Sequence, residues 1–297
     1  MKIGLYDCDS HNYPNLALMK LSAWHKAQGD NVEWWSGFEH YDRVYMSRVF
    51  DSTYTPEPME PVNADEIVKG GTGYGLDNRL PDEIEHIFQD YSLYPELTKD
   101  TAYGFLTRGC PRGCSFCIVG KKEGMYSRKV ADLKEWWNGQ KNIVLMDPNL
   151  LACPERMSLL DQLAESRAWV DVNQGFDIRL MTDDVVDALN RIKIQNIHLA
   201  WDNPDDDLAG EFEWFGERYR VKDYRRKTVF VLTNYGSTLQ EDLYRIYTLR
   251  DMGYTPFVMV YDKPNAPDVV CKLQRWCNSN RIMRSEPDFE KYMGWKT

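Results

Sequence analysis

Residues 107–117 read TRGCPRGCSFC and place three cysteines within one short stretch. Cys110, Cys114 and Cys117 follow the spacing C-x3-C-x2-C, with Gly113 directly before the second cysteine and Phe116 directly before the third. A loop this short, with a glycine that permits left-handed backbone, can fold around one small inorganic centre. The stretch therefore predicts a metal or iron–sulfur site.

Other uses of three clustered cysteines lead to different expectations. Zinc motifs usually contain two C-x2–4-C pairs, whereas this chain has no second pair and no histidine near the stretch. A disulfide framework most simply has an even number of cysteines, and the chain has seven. An iron–sulfur centre is favoured, and a zinc site with a distant fourth ligand or a set of unrelated thiols stays open.

The stretch resembles the signature of the radical S-adenosylmethionine (SAM) superfamily, C-x3-C-x-aromatic-C. The resemblance implies a [4Fe-4S] cluster bound by Cys110, Cys114 and Cys117. The fourth iron would be left open for the amino and carboxylate groups of SAM. It also implies reductive cleavage of SAM to a 5′-deoxyadenosyl radical, with an electron donor such as flavodoxin or ferredoxin.

The composition limits the partners. The 297 residues carry a formal net charge of −10, which argues against a general surface for nucleic acid, so a small molecule or a peptide is the favoured substrate. One basic run, residues 218–227, is expected to be a solvated face. The chain opens without a signal-peptide pattern and lacks an apolar run of ~20 residues, so we expect a cytoplasmic protein with no membrane partner.

The N-terminal part predicts a small Rossmann-like α/β domain over residues 1–78. Strand candidates at 2–7, 32–35, 43–47 and 66–69 accompany one helix at 15–28, and the glycine-rich run 70–75 is interpreted as a turn. Residues 79–100 are predicted to be a linker with a helix at 82–91.

This domain resembles that of cobalamin-dependent radical SAM enzymes and of radical SAM methylthiotransferases. The latter carry three further cysteines there, whereas this segment has Cys8 alone. Cobalamin is therefore an option that the resemblance leaves open and that no residue supports.

From residue 101 the pattern becomes regular. Strand candidates at 103–107, 142–147, 169–173, 196–201, 228–233 and 255–261 alternate with helices at 129–138, 154–166, 182–192, 207–219 and 238–252, and a helix at 267–278 follows the last strand. Six such units predict a partial (β/α)6 radical SAM barrel over residues 101–265, followed by a C-terminal helix and tail at 266–297. The three-cysteine stretch follows the first strand, where the family places it.

Chemistry in such folds lies at the carboxyl ends of the strands. The resemblance implies that SAM is contacted there by Phe116, Asp147, Gln174, Arg179, Trp201, Asp202 and Asn234. Asp147 stands where many members have Gly-Gly-Glu for the SAM amino group, and an Asp-Pro turn explains it equally well. Arg179 would pair with the SAM carboxylate, since a guanidinium suits that partner.

Two further cysteines are candidates for a catalytic thiol or an auxiliary ligand, Cys8 and Cys153, although cysteines are commonly just buried. The leading hypothesis is a radical SAM enzyme acting on an unidentified substrate. Alternatives are a cobalamin-dependent or methylthio-transferring branch and, in other classes, a zinc-stabilised non-catalytic binding protein or an electron-transfer iron–sulfur protein.

Overall fold

A four-stranded parallel sheet begins the chain in the computed structural model, which describes residues 1–294. Its elements are β1 (Lys2–Asp7), α1 (Leu16–Ala27), β2 (Asn31–Trp34), β3 (Tyr41–Ser47) and β4 (Ala64–Gly70). The strand order is β2-β1-β3-β4, and every neighbouring pair is parallel. The side chain of Asn15 accepts the N–H of Leu18 and caps α1, whose apolar face packs on Ile3 and Leu5. The predicted small α/β arrangement is confirmed.

The chain divides into two units, Met1–Pro148 and Asn149–Thr297, so the first unit also holds the elements that follow the N-terminal sheet. These elements are α2 (Asp82–Glu85), α3 (Pro95–Thr98), β5 (Thr101–Gly104), β6 (Thr107–Arg108), α4 (Val119–Glu123), β7 (Arg128–Lys129) and β8 (Asn142–Leu145). Strands β5 and β8 are parallel, and β6 and β7 form a short antiparallel pair.

The second unit alternates strands and helices. Its elements are α5 (Arg156–Ser166), β9 (Trp169–Val172), α6 (Asp183–Arg191), β10 (Lys193–Ile194), β11 (Ile197–Ala200), α7 (Ala209–Arg218), β12 (Lys227–Thr233), α8 (Leu239–Asp251), β13 (Thr255–Val260), α9 (Asp268–Asn278), α10 (Asn280–Ser285) and α11 (Phe289–Tyr292). Strands β11, β12 and β13 form a parallel sheet in that order, and β9 pairs in parallel with β10. The predicted tail lies partly outside the described residues, at 295–297. No helix within residues 1–294 is long and apolar enough to cross a bilayer.

Two predicted helices are wrong. The helix at 129–138 is a single 3-10 turn, Leu133–Glu135, because the N–H groups of Val130 and Ala131 already donate to the carbonyl of Leu106. Gly139, with φ of +86°, then turns the chain at the other end. The helix at 82–91 stops at Glu85.

The basic run is largely the solvated face that its composition predicts, because Arg218, Arg220, Lys222 and Arg225 are exposed. Arg220 donates to the carbonyl of Ile192, and Arg226 donates to the carbonyl of Ile194. Lys227 is buried with its ammonium 4.5 Å from the ring centroid of Tyr254. Three cations of this run thus also contact the rest of the second unit, two through backbone carbonyls and one through an aromatic ring.

Candidate functional site: a thiol loop and the strand ends

The three cysteines lie in a loop that is closed at its base. In the β6–β7 pair, Thr107 lies opposite Lys129 and Arg108 opposite Arg128, and residues 109–127 between them form what we call the thiol loop. Gly109 enters the loop with φ of +88°, and a Cβ at this position would lie 2.2 Å from the carbonyl oxygen of Tyr126. Only glycine fits there without moving the backbone.

A buried carboxylate closes the loop a second time. Glu123, which is 8% exposed, accepts Nη1 of Arg108 at 2.7 Å and the N–H of Gly109 at 3.2 Å. One residue further on, the carbonyl of Gly124 accepts the N–H of Cys110 at 3.1 Å. The start of the thiol loop, which carries Cys110, is thus hydrogen-bonded to residues 123 and 124 near the end of the loop.

Asp147 holds the strand that leads into the loop. Its carboxylate, fully buried, accepts the N–H of Thr107 at 2.6 Å, the hydroxyl of Thr107 at 2.7 Å and the N–H of Leu106 at 3.1 Å. Burial raises the pKa of Asp147 to about 6, and these hydrogen bonds oppose the rise. Asp147 therefore has an anchoring role that the sequence did not reveal, and its contact with SAM stays a prediction.

The thiols themselves are half-buried, and the N–H of Cys117 donates to the carbonyl of Cys114 at 3.0 Å in one tight turn. Gly113, directly before this turn, has φ of +60°, and Phe116, within the turn, is half-buried. Within residues 1–294, no three His, Cys, Asp or Glu side chains form a ready-made metal-binding group. Three cysteine thiols are nonetheless the ligands that a [4Fe-4S] cluster with one open iron requires, so the residues present fit such a cluster in their chemistry. The thiols would have to turn toward one another when a cluster is assembled.

A cavity of about 800 Å³ in the first unit lies beside the thiol loop. Its lining includes Ser47 and Gly70, where β3 and β4 end, and Arg108 and Lys122 of the loop region. Burial lowers the pKa of Lys122, and the guanidinium carbon of Arg108 lies 3.4 Å from the ring centroid of Phe105. Carboxyl ends of parallel strands are where open α/β sheets bind ligands, so this cavity suits a small molecule or cofactor.

In the second unit, Arg179 lies between two carboxylates. Its Nε donates to Asp177 at 2.7 Å and its Nη1 donates to Asp206 at 2.5 Å. These two bonds fix the orientation of the guanidinium, a group whose planar donors suit a carboxylate. Gln174 is exposed in the same segment. Their contacts with SAM stay predictions.

The remaining SAM candidates follow β11 and β12. Trp201 is buried and donates its indole N–H to the carbonyl of Asp206, while burial raises the pKa of Asp202 to about 6. Asn234 has φ of +62° and donates its amide to the carbonyl of Tyr261 at 2.8 Å. Because β11 and β12 are parallel neighbours, these candidates share one edge of the sheet.

The two spare cysteines have different surroundings. Cys153 is fully buried, and its thiol donates to Glu155 at 3.1 Å. Burial raises the pKa of Cys8 to about 11, and the nearby Tyr74 partly offsets this. Reactive thiolates occur where the pKa is lowered, so the surroundings of Cys8 disfavour a nucleophile. Catalytic use of either residue stays a prediction.

Sequence reasoning missed one pair of polar residues, Asp171 on β9 and His198 on β11. Each lies between two buried apolar neighbours in its strand, and Nε2 of His198 is 3.5 Å from Oδ1 of Asp171. The alternation of apolar and polar residues in these strands was the available signal.

The fold matches that of solved structures of a radical SAM methyltransferase. TsrM from Kitasatospora setae with cobalamin and a [4Fe-4S] cluster has a TM-score of 0.62 and 12% identity, and the match covers 87% of this chain and 74% of that one. The same enzyme with its tryptophan substrate and aza-SAM, a SAM analogue, has a TM-score of 0.64 and 12% identity, with 87% and 72% coverage. No family model and no curated protein matches the sequence. At this identity the likeness shows the fold, and the radical SAM type of α/β fold with parallel strands is confirmed.

Proposed function

We propose that the protein is a radical SAM enzyme that binds a [4Fe-4S] cluster through Cys110, Cys114 and Cys117 and cleaves SAM reductively. The observation that carries this proposal is the thiol loop, which follows β5 and β6 in a fold shared with a radical SAM methyltransferase. When bound, the cluster would supply one electron to SAM and so generate a 5′-deoxyadenosyl radical.

The chain's own residues would then position the reactants. Asp147 and Glu123 accept the N–H groups of Thr107 and Gly109, so they hold in place the residues directly before Cys110. Arg179, oriented by two aspartates, would bind the SAM carboxylate, and Asn234 would place backbone near the adenine. Phe116 would contact the adenine through its backbone.

A cobalamin-dependent methyltransferase is the second candidate. One of the two TsrM structures contains cobalamin, and the first-unit cavity lies where β3 and β4 end, beside the thiol loop. These two observations favour methyl transfer. Methylthio transfer is disfavoured because the N-terminal residues 1–78 contain a single cysteine, Cys8, where the methylthiotransferases carry three further cysteines.

The proposed surroundings follow from the chemistry. The cluster needs a low-potential electron donor such as a flavodoxin or a ferredoxin, and reduced thiols fit the cytoplasm. The acidic net charge favours a small molecule or a peptide as substrate over nucleic acid.

The experiment is anaerobic reconstitution of the full chain with iron and sulfide, followed by SAM and dithionite, with and without hydroxocobalamin. Radical cleavage yields 5′-deoxyadenosine, whereas methyl transfer through a retained corrin yields S-adenosylhomocysteine. Cys117→Ala should abolish both products, and Cys271→Ala, on α9 outside the site, should not.

Metal analysis separates this proposal from a protein of another class. One zinc per chain with no iron, and no SAM-derived product, would point to a zinc-stabilised binding protein.

A further inference from the structure

The sheet of the second unit has one buried face and one half-exposed face. Side chains alternate along each strand, so Val229 and Val231 of β12 are buried while Phe230 between them is half-buried. On the half-exposed face, Phe257 is 37% exposed and Met259 is 46% exposed. An aromatic, apolar surface of this kind commonly contacts a ligand.

The rings on this face contact each other. Phe230 lies opposite Phe257 in the β12–β13 register, with ring centroids 5.9 Å apart. His198, from the neighbouring strand β11, lies 5.4 Å from Phe230 by ring centroids. The imidazole thus lies at the end of a row of aromatic side chains.

His198 and Asp171 lack the hydrogen bonds that buried polar groups require. Both ring nitrogens of His198 and Oδ1 of Asp171 are buried, and none has a hydrogen-bond partner among the described residues. The distance of 3.5 Å between Nε2 and Oδ1 is too long for a good hydrogen bond. Leaving such groups unsatisfied is unfavourable, so each one in a folded protein calls for an explanation.

His25, which is buried in the first unit, shows what a structural role looks like. In His25, Nδ1 lies 2.7 Å from Asp30 and Nε2 lies 3.0 Å from the hydroxyl of Tyr45. Its ring is thus fully bonded inside the first unit. The contrast indicates that His198 is not placed to stabilise the fold.

The surroundings keep His198 neutral. Burial lowers the pKa of His198 and raises the pKa of Asp171, and the attraction between the two opposes both shifts. A neutral imidazole has one donor and one acceptor nitrogen, so it can accept a hydrogen bond from an N–H or O–H group.

We propose that His198 and Asp171, with Phe230 and Phe257, form the recognition site for a small aromatic molecule that carries one N–H or O–H donor. The ring of the ligand lies against the two phenylalanines, and its donor hydrogen-bonds to His198. Strands β9 and β11 lead from this site to the predicted SAM contacts at Gln174 and Trp201, so we assign the ligand as the substrate of the proposed enzyme. That assignment rests on the proposed function. Binding itself does not depend on SAM cleavage.

The test measures binding of two probes to the full-length, reconstituted protein by ligand-observed NMR titration, without SAM. Indole carries the N–H donor, and 1-methylindole lacks it but has a similar ring. We expect indole to bind about tenfold more tightly, the effect of one hydrogen bond of about 1.4 kcal/mol. His198→Phe should reduce this preference to less than twofold, and His40→Phe, a change at an exposed histidine of the first unit, should leave it intact.

Two more variants keep the test decisive if His198→Phe fails to fold. Asp171→Asn should shift the preference for indole, and Phe257→Ala should weaken both probes to the same extent. Equal binding of the two probes to the wild-type protein, or no binding of either, would overturn the proposal. If SAM is cleaved while the two probes bind equally well, the recognition site is wrong and the proposed function stands. If indole binds more tightly than 1-methylindole but SAM is not cleaved, the recognition site stands and the proposed function is wrong.

Discussion

Replacing Asp147 tests whether one buried carboxylate anchors the thiol loop. In Asp147→Ala, the N–H groups of Leu106 and Thr107 and the hydroxyl of Thr107 lose their acceptor at a site that is closed to water. Each buried donor left without a partner costs about 1–3 kcal/mol, so for three donors the free energy of unfolding should fall by roughly 3–9 kcal/mol. Asp147→Asn keeps one acceptor oxygen and should be less harmful.

The pH dependence gives this prediction a sign. The pKa of Asp147 is about 6 in the folded protein and 3.8 is its ordinary value, so the folded state binds more protons between these two pH values. Stability from this group is therefore fully present below pH ~4 and is lost as the pH rises through ~6, a loss of about 3 kcal/mol. Asp147→Asn does not titrate and should not show this loss.

The assay is urea denaturation of the wild-type, Asp147→Asn and Asp147→Ala proteins at pH 4.5 and pH 7.5, followed by near-UV circular dichroism. Hydrogen exchange of the peptide that spans residues 105–109 adds a local measurement, and it should accelerate in Asp147→Ala. Asp161→Asn, which removes an exposed ion pair with Arg191, is the matched control. The reasoning is refuted if wild type and Asp147→Asn change in parallel between the two pH values, or if Asp147→Ala costs less than ~1 kcal/mol.

Three further predictions concern other parts of the structure. Gly109→Ala should prevent cluster incorporation, measured by visible absorbance after reconstitution, because its Cβ would meet the carbonyl of Tyr126; normal absorbance would contradict this. Arg245→Met should lower the free energy of unfolding by about 3–5 kcal/mol, because it leaves the buried Asp242 carboxylate without the guanidinium that lies 2.5 Å from it. Urea titration should show that the double variant Arg245→Met/Asp242→Leu recovers part of this free energy. The alkylation rate of Cys8 should keep rising with pH beyond 9, since its pKa is about 11, and a plateau near pH 8.5 would be inconsistent with that burial.

The sequence was sufficient for features that depend on local pattern. Strand β1 runs over the predicted residues 2–7, and α1 begins one residue after the predicted start because Asn15 is its cap. Apolar alternation located five of the six strands predicted after residue 101, whereas the first, predicted at 103–107, is interrupted at residues 105–106. The spacing of the three cysteines identified the thiol loop. These signals arise within a few residues of chain, so tertiary contacts do not change them.

Features that depend on distant partners were beyond the sequence. The predicted helix at 129–138 was lost to backbone bonds with Leu106, more than twenty residues earlier. The anchoring role of Asp147 depends on Thr107, forty residues away. His198 has no neighbouring polar residue in its own strand, and its relation to Asp171 follows from strand packing alone.

The most direct test of the account is electron paramagnetic resonance of the anaerobically reconstituted, dithionite-reduced protein, recorded with and without SAM. We predict a [4Fe-4S]⁺ signal whose g-values change when SAM is added, because an outside ligand binds the open iron, and no such signal in the variant Cys110→Ala/Cys114→Ala/Cys117→Ala. A protein that holds stoichiometric zinc and no iron, or a cluster signal that SAM does not alter, would contradict the account.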